Sequence, residues 1–114
     1  MRDIKDRILD IWDAIEQIEE YSPKGKDYFS ANKPIQSHFI LQIQIIGEVA
    51  FKLPDDFKII HPEIPWDKIE GMRHSLVHGY FNIDLEIVWN VVQNNIPEIK
   101  PFIRKLIAEL SDTQ

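Results

Sequence analysis

Apolar residues recur at three- and four-residue steps from the start of this chain. Ile4, Ile8, Ile11, Trp12, Ile15 and Ile18 are separated by Asp, Glu, Lys and Arg, which predicts an amphipathic helix of about five turns. Ser22-Pro23-Lys24-Gly25 ends it, and a loop runs to Asn32, an N-cap for a second helix whose first turn tolerates Pro34. That helix, Lys33 to Leu53, carries apolar residues over an unusually wide arc, among them Ile35, Phe39, Leu41, Ile45, Val49 and Phe51. Either it is central or part of its surface meets another subunit. Gly47 inside it permits a close helix–helix approach.

Pro54-Asp55-Asp56 stops the second helix, and a loop with a short helical turn leads to Ile64. Pro65 fits the first position of a third helix, with Trp66, Ile69, Met72, Leu76 and Val77 on its apolar side and Gly79 at its end. Asp84 is placed to N-cap a fourth helix, with Ile83 and Val88 as a hydrophobic staple. Asn94-Asn95 closes that helix. A last one spans Pro97 to Leu110, with Pro101 an alternative start. Strand-like alternation is absent, so the expectation is all-α: an antiparallel bundle of four to five helices. At 114 residues, positions 1–114 are expected to form a single domain.

Composition narrows the class. There is no Cys, which excludes disulfides and thiolate metal sites and fits a reducing cytoplasm. The opening Met1-Arg2-Asp3-Ile4-Lys5 is charged and runs into an amphipathic pattern, unlike a signal peptide. The most apolar stretch is interrupted by Gln42, Gln44, Glu48 and Lys52, so no membrane span is expected. Net charge is −6, which argues against a broad electrostatic grip on nucleic acid. A few cations focused in one cleft could still hold RNA.

Candidate chemistry gathers in Gly71-Met72-Arg73-His74-Ser75-Leu76-Val77-His78-Gly79-Tyr80. Arg supplies a permanent cation with a rigid fork of donors for phosphate oxygens. His exchanges protons near neutrality. Attack on an RNA phosphodiester by its own 2′-hydroxyl needs a base, an acid and a cation beside the phosphate. His78 could transfer protons while Arg73 stabilises charge on the phosphoryl oxygens, without a metal or other cofactor. The second imidazole would come from His74 or from His78 of a second copy. On a continuous helix Glu70, His74 and His78 share a face, a spacing that can also ligate a metal, with His61 nearby. An Arg-x4-His pair on an ordinary surface helix is the plain alternative, as is Tyr80 as a half-buried aromatic.

An ordered set of local motifs decides among these. The chain resembles the HepT-like HEPN ribonuclease toxins of bacterial and archaeal toxin–antitoxin pairs over nearly its whole length. The resemblance lies in the opening helix with Ile4, Ile8 and Trp12, in Ile46-Gly47-Glu48-Val49-Ala50, and in Pro65-Trp66 with Ile69-Glu70-Gly71-Met72-Arg73. It continues through His78-Gly79-Tyr80-Phe81 and Ile83-Asp84 followed by Val88-Trp89. Arg73, His78 and Tyr80 match the family motif Arg-x4-His-x-Tyr in order.

The resemblance implies a helical HEPN fold, a homodimer that brings two Arg-His pairs into one cleft, and metal-independent RNA cleavage. It also implies a cognate antitoxin of the minimal nucleotidyltransferase type (MntA-like), which can silence the toxin by attaching AMP to the motif tyrosine, here Tyr80. On this reading Arg73 and His78 are catalytic, His74 and Tyr80 contact substrate phosphate, and Glu48 either orients Arg73 through a charge-assisted bond or is structural. His74 departs from the polar residue, often Asn, that usually follows the motif Arg. A non-catalytic HEPN module that binds nucleotide or serves a nucleotidyltransferase partner is the alternative. A helical oligomerisation protein without a site would fit the wide apolar arc but not the clustered Arg, His and Tyr.

Overall fold

The computed structural model describes residues 3–76 and 83–112. The first helix, α1 (Ile4–Glu19), begins where the Asp3 carboxylate accepts from the Asp6 amide at 2.9 Å. Ile8, Ile11, Ala14, Ile15 and Ile18 form its buried stripe, as the periodicity predicts. A 3₁₀ turn at Ser22–Lys24 and a short helix, α2 (Lys26–Ser30), occupy the segment expected to be a plain loop. Gly25, at φ 92°, makes the sharp junction between them.

Helix α3 (Lys33–Lys52) is capped by Asn32 and carries Pro34 in its first turn, as expected. It is the central element: α1, α2, α5 and α6 all pack against it. Ile35, Phe39, Ile43, Ile46 and Ala50 form its core stripe. Buried Gln36 is satisfied by donating to the Phe29 and Ser30 carbonyls at 2.9 and 3.2 Å, which closes the end of α2. The remaining apolar positions, Leu41, Ile45 and Val49, lie on a second face, with Leu41 exposed and the other two half-buried.

Helix α4 (Asp55–Ile59) supplies the short helical turn expected before Ile64. Lys58 on it is largely buried. Its ammonium donates to the Ala50 and Phe51 carbonyls at the end of α3, at 3.1 and 3.4 Å, and to Glu70 at 3.1 Å. A cation on the last carbonyls of a helix complements its dipole. Helix α5 (Trp66–Gly71) starts after Pro65, which flanks the helix instead of opening it.

The third helix does not run on to Gly79. It ends at Gly71, and a 3₁₀ turn at His74–Leu76 follows. Glycine is a poor interior helix residue, and Met72 and Leu76 both drive into the core, so the chain tightens there. Residues 77–82, including the expected helix end at Gly79, lie outside the described residues. The Leu76 carbonyl accepts from the Asp84 amide at 3.0 Å, which ties the two flanks of that segment together.

Asp84 caps α6 (Leu85–Asn90) through bonds to the Glu86 and Ile87 amides at 3.0 and 3.3 Å. Val88 is fully buried and Ile83 is exposed, so the expected staple does not cover the cap. The break expected at Asn94-Asn95 is also absent. A π-helical stretch, Val91–Asn95, passes directly into α7 (Ile96–Asp112), with Pro101 inside that helix and not at its start. A wider turn accommodates prolines that can neither donate nor fit under a regular α repeat. Val91, Val92, Ile96, Ile99 and Ile103 keep the segment in the core. Helix α7 packs along α1, where Lys100 and Arg104 lie over the Trp12 ring and Lys100 bonds Glu19 at 2.5 Å.

The fold is an all-α helical bundle of the HEPN type, with more and shorter helices than the four or five expected. Among the described residues no helix is long and apolar enough to cross a membrane. Asp84→Ala should cost about 1 kcal/mol by removing the α6 cap. Urea denaturation should show a lower midpoint at unchanged slope.

Candidate active site

Arg73 lies in the turn after Gly71, and His74 opens the 3₁₀ segment. Buried Met72 and Leu76 pin the chain on either side, so the Arg73 side chain extends across the surface of α3. It lies directly on Gly47. A Cβ there would stand 3.1 Å from Arg73 Cγ and Cδ and 3.2 Å from its Cβ. The close approach anticipated at Gly47 is therefore made by an arginine stem and not by another helix backbone.

The guanidinium is fixed from two further directions. Arg73 Nη1 donates to Glu48 Oε2, and Phe51 lies under the group with its ring centroid 5.1 Å from Cζ. Arg73 Nε is enclosed and has no hydrogen-bond partner among the described residues. The expected orientation of Arg73 by Glu48 is thus present as a contact. Glu48 Oε1 is held in turn by Lys52 at 3.1 Å, one helical turn on. The Lys52 hydrogen bond and charge, with a smaller contribution from Arg73, hold the Glu48 carboxyl below its ordinary value of 4.5.

Together Gln44, Ile45, Glu48, Val49, Arg73 and His74 line an open pocket of about 530 Å³ on the second face of α3. His74 is exposed at its edge. A larger depression of about 770 Å³ lies beside α4 and α5, but no Arg or His lines it, and its Lys58 is tied to Glu70. That bond also occupies the Glu70 carboxylate of the alternative metal set. Of that set, His74 does not continue the α5 face because the helix has already ended. His78 and Tyr80 lie outside the described residues.

The other two histidines do not line this pocket. The His38 ring meets the Gln17 carbonyl at 3.2 Å and packs edge-on against Tyr21. His61 Nδ1 meets the Phe57 carbonyl at 3.0 Å, and Nε2 lies 3.4 Å from Glu109. Sequence reasoning missed Phe51 and Lys52 as neighbours of the site. The available signal was spacing: Phe51 follows Gly47, and Lys52 follows Glu48, by one helical turn.

The sequence profile described as Ribonuclease HepT-like matches residues 11–106. The chain belongs to the HepT-like ribonuclease family. Within the HepT-like group, it is 41% identical over 106 residues to a "Probable ribonuclease HepT" of Thermococcus cleftensis, covering 92% of this chain and 96% of that protein. It is 37% identical over 113 residues to a "Putative RNase" of Methanocaldococcus jannaschii, covering 97% of each. A second protein of that organism, named "Gamma-glutamylcyclotransferase and putative RNase", is 39% identical over 110 residues. That match covers 96% of this chain and 50% of the longer relative. No solved structure matches the chain significantly.

Because the Glu48 carboxyl titrates below its ordinary value, the charged form is favoured by folding. Its contribution is complete above 4.5 and is lost as pH falls through the depressed folded value. Urea denaturation of wild type and Glu48→Gln should show a stability gap near neutral pH that closes in acid.

Proposed function

We propose that this protein is the toxin of a toxin–antitoxin pair, a single-domain cytoplasmic endoribonuclease that cleaves RNA without a metal through the Arg-x4-His-x-Tyr motif. The observation that carries the reading is the seating of Arg73 on α3, beside His74, in a chain of a ribonuclease family. A guanidinium held by Glu48 and Phe51 costs little reorganisation when charge develops on a phosphoryl oxygen. His78 supplies proton transfer, His74 contacts phosphate, and Tyr80 is a substrate contact and the acceptor of AMP from a nucleotidyltransferase antitoxin. An adenylyl group beside Arg73 would occupy the space and the cation that an RNA phosphate needs.

The second face of α3 supports a two-fold homodimer. Leu41, Ile45 and Val49 recur one helical turn apart and leave apolar surface uncovered, and the Arg73 pocket opens on the same face. Pairing there brings two sets of Arg and His into one cleft and focuses positive charge locally in a chain of net charge −6.

Arg73→Ala and His78→Ala should each lose on the order of a hundredfold or more in RNA cleavage rate while remaining folded. Cleavage should persist in EDTA and leave 2′,3′-cyclic phosphate ends. Loss in EDTA with recovery on zinc would support the Glu70, His74 and His78 set instead. Light scattering should give twice the chain mass of 13.5 kDa. Co-expression with a nucleotidyltransferase encoded beside it should add AMP to the peptide containing Tyr80 and abolish cleavage. Inactivation without modification would point to inhibition by complex formation.

A further inference from the structure

Nothing in the motif itself accounts for Phe51. It is a large aromatic at 58% exposure near the end of α3, outside the core that α3 shares with α1 and α5. Leaving a phenyl ring in water forgoes the burial that ordinarily selects it. Among the described residues its ring contacts Arg73, whose Cζ stands 5.1 Å from the centroid.

Gly47 lies one turn before Phe51 on the same ridge and receives the Arg73 stem at a separation that tolerates no ordinary side chain without displacement. The two residues therefore form a continuous bed, with the arginine methylenes on Gly47 and the guanidinium on Phe51. Glu48, between them, fixes Nη1 from the side. A hydrogen bond to one nitrogen fixes a distance but leaves the planar group free to swing about it. A ring with its centroid 5.1 Å from Cζ restricts that freedom.

We propose that Gly47 and Phe51 are positioning residues for Arg73. They set the plane and reach of the guanidinium and act on catalysis only through it. The inference rests on the ribonuclease reading above, with Arg73 as the group that stabilises the phosphoryl oxygens. Pre-orientation of a catalytic group lowers the barrier without strengthening ground-state binding, so the effect belongs in kcat and not in KM.

The closing experiment combines kinetics with NMR of the arginine side chain, using Phe51→Leu, Phe51→Trp, Gly47→Ala, Arg73→Ala and the Phe51→Leu/Arg73→Ala double variant. Phe51→Leu should lower kcat about tenfold at little change in KM, Phe51→Trp should restore most of it, and Gly47→Ala should lose kcat as well. In the Arg73→Ala background Phe51→Leu should cost nothing further. In wild type the Arg73 δ and ε protons should be shifted upfield by the ring, and that shift should vanish in Phe51→Leu. Light scattering on each variant separates these effects from a change of oligomeric state.

An unchanged kcat in Phe51→Leu would overturn the proposal. So would a rise in KM alone that disappears with substrates lacking a base, which would make Phe51 a nucleobase platform. If wild type cleaves no RNA, the ribonuclease reading fails. The NMR arm then decides the seat by itself: a ring shift lost in Phe51→Leu upholds it, and no shift in wild type overturns it.

Discussion

A helix of twenty residues at the centre of a small bundle can bury one stripe completely and a second only in part. That constraint on α3 (Lys33–Lys52) organises the molecule. Its core stripe, from Ile35 through Phe39, Ile43 and Ile46 to Ala50, is enclosed by the surrounding helices. The second face, with Leu41, Ile45 and Val49, stays partly open, and the polar residues Gln44, Glu48 and Lys52 are interleaved with it. The pocket forms on this mixed surface. An arginine laid across it finds a carboxylate, an aromatic ring and a helix position without a side chain within two turns.

Holding a guanidinium this way is electrostatically economical. A fully buried ion pair loses hydration that its mutual attraction rarely restores. Here the Arg73 side chain retains 22% of its exposure and Glu48 retains 48%. The carboxylate shares its two oxygens between Lys52 and Arg73, so neither bond needs to be strong for the group to stay charged and aligned. The lowered Glu48 carboxyl stays charged further into acid than an ordinary carboxylate.

Periodicity made the long elements legible. The isoleucine spacing of α1, the Asn32 cap of α3 and the Asp84 cap of α6 all follow from local chemistry that the fold does not override. Legibility failed where tertiary burial outweighed local propensity. Asn94, Asn95 and Pro97 look like a boundary, yet Val91, Val92, Ile96 and Ile99 are all buried and carry the helix through as a π stretch. In the other direction, Met72, Leu76 and Val77 continue the α5 period in sequence, but Gly71 ends the helix and a tighter turn carries Met72 and Leu76 into the core. The site was half legible for a related reason. Glu48 and Arg73 are charged residues within recognisable motifs, whereas an exposed Phe51 on a broadly apolar helix is indistinguishable in sequence from a core residue.

Lys58 gives this site a shared foundation. Its ammonium grips the last carbonyls of α3, including that of Phe51 itself, and with the same three protons holds Glu70, which lies three residues before Arg73. The ring beneath the guanidinium and the turn that delivers it are thus bolted to one nitrogen. A shift of α5 against α3 would draw the arginine off its bed, and the Lys58 bridge between the end of α3 and Glu70 opposes that one displacement.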